Sequence, residues 1–122
     1  MPVTAIDHIQ LAMPVGGEDA ARHFFSGILG MPELPKPAAL QARGGLWFQC
    51  GALQLHLGID PAFQPALNAH PGLIVDALAP MTAALRAAGH PVQDDAPIPG
   101  FLRVYTADPF GNLIELREIV AR

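Results

Sequence analysis

The chain has 122 residues, 51% of them apolar and only 15% charged, with a net charge of −4. That is enough chain for one globular domain, or for two half-size modules sharing one core, and too apolar to stay disordered. The seven Lys and Arg form no cluster, which excludes a nucleic-acid surface, and the single Cys50 excludes an intrachain disulfide or a cysteine-rich zinc cage. No apolar run approaches the roughly 20 residues needed to span a bilayer, and the opening MPVTAID lacks the basic start and apolar core of a secretion signal. A cytoplasmic location is the expectation.

The first predicted element is a strand, AIDHIQLAMP (5–14). Side chains alternate across a strand, so Ile9, Leu11 and Met13 share a core face while His8 and Gln10 share the other. EDAARHFFSGILG (18–30) reads as a helix with Glu18 and Asp19 in its first turn, a buried stripe of Ala21, Phe24, Phe25, Ile28 and Leu29, and Gly30 as its stop. The Pro-rich MPELPKP follows, with Lys36 expected to be solvated. Two strand-like runs, GLWFQCG and ALQLHLGI, come next. Trp47 and Phe48 should face opposite ways, and Cys50 reads as a small core residue. DPAFQPALNAHP (60–71) is the expected linker.

The same order then recurs. AHPGLIVDAL reads as a strand, and PMTAALRAAGH as a helix with Met81, Ala84, Leu85 and Ala88 on one face and Gly89 as its stop. HPVQDDAPIPG is a second Pro-rich stretch and a candidate lip. FLRVYTADPFG and NLIELREI are strands joined by a DPFGN turn. The chain therefore reads as α+β, with two βαβββ modules (1–60 and 69–122). Each is a small sheet covered by a helix on one face only. Set side by side, two such sheets would form an open concave mixed sheet with the helices outside.

The uncovered face collects His8, Gln10, Gln54, His56, His70, Arg103, Tyr105, Glu115 and Arg117. A face that is merely wet would be polar too, but it would gather Lys, Thr, Ser and Glu rather than histidines. His23 and His90 are poorer candidates, one lying inside the first helix and the other just beyond the second. Imidazole and carboxylate donors together suit Zn, Ni, Mn, Fe or Co, and two His with one Glu leave coordination positions open for substrate oxygens. Arg43, in ARGGLWF, and Arg103 are candidates to clamp a carboxylate or phosphate, with a plain salt bridge as the structural alternative.

The segments DHIQLAMP, FFSGILGMPEL, WFQCGALQLHLG, HPGLIVDAL and YTADPFGNLIEL, in this order and spacing, resemble the vicinal oxygen chelate superfamily: glyoxalase I, fosfomycin- and bleomycin-resistance proteins and extradiol dioxygenases. The resemblance spans nearly the whole chain. It implies paired βαβββ modules around a metal-centred cleft, frequently in a homodimer, acting on a small-molecule substrate. It makes His8 the first-strand ligand, His70 its second-module counterpart, and Glu115 the late carboxylate, which would also move a proton. For the fourth ligand, the repeat favours Gln54 and donor strength favours His56. Gln54, Arg43, Arg103 and Tyr105 are then candidate substrate contacts.

Two functions follow from the resemblance. One is a divalent-metal enzyme, of lyase, isomerase or transferase type, that chelates vicinal oxygens and stabilises an enediolate or oxyanion. The other is a metal-free protein that sequesters a small molecule, of the bleomycin-resistance kind. Retention of His8, His70 and Glu115 favours the enzyme.

Overall fold

The computed structural model describes residues 1–120. The chain divides into two compact units, Met1–Gln64 and Pro65–Arg122, and the division falls inside the expected linker.

In the first unit, β1 (His8–Met13) leads into a helix that begins as α1 (Glu18–Ala21) and continues as a π-helical stretch, Arg22–Ile28. β2 (Glu33–Leu34), a single turn α2 (Ala38–Gln41), β3 (Leu46–Cys50) and β4 (Leu53–Ile59) follow. The sheet order is β1-β4-β3-β2, with β1 parallel to β4 and the other pairs antiparallel. The second unit contains β5 (Gly72–Ile74), α3 (Leu78–Ala87), β6 (Phe101–Ala107) and β7 (Leu113–Ile119), in the order β5-β7-β6. β5 is parallel to β7, so each unit repeats the same first-to-last parallel pairing. Both units are βαβββ modules, and in the second one the second strand shrinks to a single bridge between Gln93 and Tyr105.

Period-two alternation sorts each sheet into a core face and a polar face. Met13, Phe48, Leu55 and Leu57 are buried under the first helix together with Ala21, Phe24 and Phe25. Leu73, Val104, Ile114 and Leu116 are buried with Leu78 and Leu85 of α3. Both helices stop where predicted, at Gly30 and Gly89, whose positive φ lets the chain turn off the last helical turn.

The helices depart from expectation in two ways. The first widens after Ala21, with Leu29 N donating to Phe24 O five residues back, and its wider turn buries the adjacent Phe24 and Phe25 together. Ile28 and Leu29 are only half-buried. α3 starts at Leu78 rather than near Pro80, because Leu78 N donates to Glu118 Oε1 of β7 at 2.7 Å, a cap supplied from another element. Its inward stripe is Leu78, Met81 and Leu85, while Ala84 and Ala88 are exposed. The DPFGN turn is held by Asp108, which accepts from Phe110 N, Asn112 N and Asn112 Nδ2. Burial pushes the Asp108 carboxyl above its usual range, only partly opposed by these bonds.

Candidate functional site

On the polar face of the first unit, strand register places His8 across from Gln54, and Gln10 and Trp47 on either side of His56. Neighbouring strands lie about 4.8 Å apart, close to the spacing of stacked rings. The side chains use that coincidence. Trp47 stacks on His56 at 4.2 Å between centroids and 5° between planes, and His8 stacks on His56 at 4.3 Å and 17°. His56 is buried and donates from Nε2 to Gln54 Oε1 at 2.9 Å. Burial, with the neighbouring His8, holds the His56 pKa below its usual value and keeps the ring neutral at pH 7. His8 donates from Nδ1 to Asp7 Oδ2 at 2.9 Å, leaving Nε2 as its bare nitrogen.

A cavity of about 520 Å³ opens over this ladder, lined by Asp7, His8, Gln10, Trp47, Gln54 and His56 on the sheet and by Lys36, Leu40 and Arg43 on the segment leading into β3. That segment turns at Gly44 and Gly45. A Cβ on Gly45 would lie 2.3 Å from Leu57 O, so only glycine lets the segment come this close to β4. Lys36, expected to be solvated, instead lines the cavity and donates from Nζ to Gly44 O. The Pro residues flanking Lys36 and the Gly-Gly pair after Arg43 were the available sign of a shaped segment. The Arg43 guanidinium has no hydrogen-bond or ion-pair partner among the described residues. Gly58 leaves room for Gln10, whose Nε2 would lie 2.4 Å from a Cβ at that position.

The second unit carries its charge differently. Glu115, on β7, is buried, and its Oε2 accepts from Arg103 Nη1 at 2.7 Å and pairs with Arg117 Nε at 3.0 Å. Burial raises the Glu115 pKa, but the hydrogen bonds and charges of Arg117 and Arg103 outweigh it, and the carboxyl sits below its usual range. Arg103 is itself tethered: Nε and Nη2 donate to Ala96 O at 3.0 and 2.8 Å, and Asp95 lies at 3.3 Å. The DDAPIPG stretch thus anchors Arg103. The Tyr105 hydroxyl accepts from Arg103 Nη1 at 3.4 Å, and its ring packs edge-on to His70.

His70 lies before β5 rather than on it, and Gly72 is the residue in register with Glu115. By register, then, the counterpart of His8 is Gly72. A Cβ at Gly72 would only touch Glu115 Oε1, at 3.4 Å. His70 Nδ1 donates to Asn68 O at 2.8 Å, which fixes the tautomer and leaves Nε2 bare, 3.9 Å from Glu115 Oε1.

Each unit therefore brings together a subset of the expected site residues. The first joins His8, Gln54, His56 and the lining residue Arg43; the second joins His70, Tyr105, Arg103 and Glu115. Within either unit, among the described residues, no three His, Cys, Asp or Glu side chains are placed to hold a metal ion by themselves. The donor chemistry does suit a divalent ion. His8 Nε2, His70 Nε2 and Glu115 Oε1 are bare, and each has its other heteroatom tied, which is how ligands are commonly oriented. Gln54 Oε1 accepts from His56 Nε2, which leaves Nδ1 as the bare nitrogen of His56.

No protein-family model matches the chain, and no curated protein matches it. Solved structures do. A glyoxalase family protein from Bacillus anthracis is 42% identical, with a TM-score of 0.91 over 98% of each chain. Lactoylglutathione lyase from Agrobacterium tumefaciens is 25% identical, with a TM-score of 0.67 over 97% of this chain and 96% of that one. The fosfomycin resistance protein FosX from Listeria monocytogenes shares the fold at 16% identity, with a TM-score of 0.77 over 98% and 96% of the two chains. With the mixed sheets and paired modules described above, the identity to the Bacillus protein places this chain in the glyoxalase family of the vicinal oxygen chelate superfamily.

Proposed function

We propose that the chain is a divalent-metal enzyme of lyase, isomerase or transferase type acting on a small substrate with two neighbouring oxygens, and that it works as a cytoplasmic homodimer. The observation that carries this reading is the pair formed by His70 and Glu115. Two bare donor atoms lie 3.9 Å apart, one with its tautomer set by Asn68 O and the other with its charge set by two arginines. A structural salt bridge would not need a bare Oε1. The candidate ligands are His8, His70 and Glu115, with Gln54 or His56 as a fourth. A divalent ion held by them would supply Lewis acidity toward the substrate oxygens.

The roles of the protein groups follow from their partners. Arg103 and Arg117 keep Glu115 ionised and hold its Oε2, so Oε1 is the atom that ligates or accepts a proton. Arg103, fully engaged, positions Glu115 rather than clamping substrate, and Tyr105 braces His70 and Arg103. Arg43, whose guanidinium has no partner among the described residues, is the better candidate to contact substrate.

The test is metal analysis of protein purified without a histidine tag. About one divalent ion per chain is expected, and His70→Ala should lose it. Stoichiometric metal that survives His70→Ala unchanged would overturn the ligand set. The cavity of the first unit also favours a second reading, metal-free sequestration of a small molecule. Tight ligand binding by a chain that retains no metal and turns nothing over would select it.

A further inference from the structure

The cavity of the first unit has a chemical character that the metal reading does not use. Its walls carry two cationic side chains, Lys36 and Arg43, and one carboxylate, Asp7, already engaged by His8. Lys36 already spends one of its donors on Gly44 O. Arg43 is the one cation on the wall with no partner among the described residues for its side chain. The rest of the lining is amide (Gln10, Gln54), ring (His8, Trp47, His56) and aliphatic (Leu40, Leu57, Ile59). At about 520 Å³ the cavity suits a small molecule rather than a peptide.

A guanidinium with no partner among the described residues, on the wall of a half-apolar cavity, calls for an oxyanion with two adjacent oxygens, which it can meet with two parallel N–H donors. The stacked rings of His8, His56 and Trp47 form the floor beneath it. The placement of Arg43 is built in. The Gly44-Gly45 turn and the Lys36 bond to Gly44 O fold the segment back over β4, and Arg43 lines the same cavity as the ring ladder.

We propose that this cavity binds the oxyanion head of a small substrate, a carboxylate or a phosphonate, through Arg43 with Lys36 beside it, the apolar remainder lying against Leu40 and the edge of Trp47. This deepens the proposed function by giving the substrate class. It depends on that reading for the chemistry performed but not for binding.

Trp47 is the only tryptophan in the chain, so its fluorescence reports on this cavity directly. The probes are phenylphosphonate, benzoate and the neutral benzyl alcohol, titrated first with chelator present and then with added zinc. Saturable quenching by at least one anion is expected with chelator present. Benzyl alcohol should bind at least tenfold more weakly, and Arg43→Gln should weaken the anion about tenfold, the size of one lost charge-assisted contact. Lys36→Gln should weaken it less. Arg43 is exposed, so its variant should keep the parent circular dichroism spectrum.

Anion-selective quenching that Arg43→Gln weakens supports the proposal whether or not the protein retains metal. Quenching that needs zinc and is unchanged in Arg43→Gln would overturn it while leaving the metal reading intact. Equal binding of benzyl alcohol, or no saturable quenching by either anion, would overturn it outright.

Discussion

In the first unit the parallel pair β1 and β4 sets His8 across from Gln54, whereas in the second the equivalent pair, β5 and β7, sets a bare glycine across from a carboxylate. The consequences spread over each face. Around Gln54 the neighbours are rings, stacked at the natural spacing of strands and closed by one hydrogen bond to the amide. Around Glu115 they are two guanidiniums and a tethered loop. One face is a floor of stacked rings beneath a cavity, and the other is a charged lock that presents a single carboxylate oxygen. A duplicated module can thus keep its backbone pairing while its polar face diverges: stacked rings on one copy, fixed charge on the other.

The two units also rest on different cores, and the largest expected effect tests that. Beneath the ring ladder, Phe48 is fully buried and packs against Phe25, which in turn meets Phe24 edge-on. Beneath the charged face the core is aliphatic, centred on Leu85, Ile114 and Leu116. Phe48→Ala should lower stability by about 4 kcal/mol and Leu85→Ala by about 3 kcal/mol, both by chemical denaturation. Equal or reversed losses would remove the distinction between an aromatic and an aliphatic foundation.

Next in size is the lock itself. Glu115→Ala leaves Arg103 and Arg117 facing each other across β6 and β7, where they are Cα partners in register. Removing the central acid of a buried cluster is costly, but Arg117 is partly exposed and can turn to water, so the expected loss is about 2 kcal/mol, toward the low end for such changes. The conservative Glu115→Gln, measured in parallel, should recover less than half of it, since an amide offers the guanidiniums no charge. Full recovery by Gln would mean that hydrogen bonding rather than charge closes this face.

Much of this was legible before the coordinates. Alternation alone separated Ile9, Leu11 and Met13 from His8 and Gln10, and the repeat predicted the two modules, because both depend on local patterning that tertiary context rarely overrides. What could not be read depended on partners distant in sequence. Nothing near Leu78 marks a helix start, since its cap is Glu118, forty positions on. Nothing in LPKP says that Lys36 turns in toward Gly44. The matching of His8 with His70 was reasonable as a string of letters, but register is set by backbone pairing, and it slips by two residues so that Gly72 stands across from Glu115. The repeat favours Gln54 and donor strength favours His56, and in the structure the two side chains hydrogen-bond to each other.

The smallest effect is the one that most directly separates the two faces, because their titrations fall in different pH ranges. His56 has its folded pKa lowered from an ordinary value of 6.5, so the unfolded chain binds the proton more readily. The stability contributed by its neutral form is fully present above about pH 6.5 and is lost as pH falls through the lower folded value. Glu115 is lowered from an ordinary 4.5, so its contribution persists to more acid conditions, being present above about pH 4.5 and lost only as pH falls through its own depressed value. Acidification from pH 7 should therefore loosen the ring ladder first and the charged lock later. Denaturation midpoints followed from pH 7.5 to 3.5 should fall in two stages, with Trp47 fluorescence changing in the upper one. His56→Gln should flatten the upper stage and leave the lower one in place. A wild-type curve that is level between pH 6.5 and 5 would show that burying a neutral imidazole between Trp47 and His8 carries no proton linkage, and the contrast between a neutral face and a charged one would lose its energetic basis.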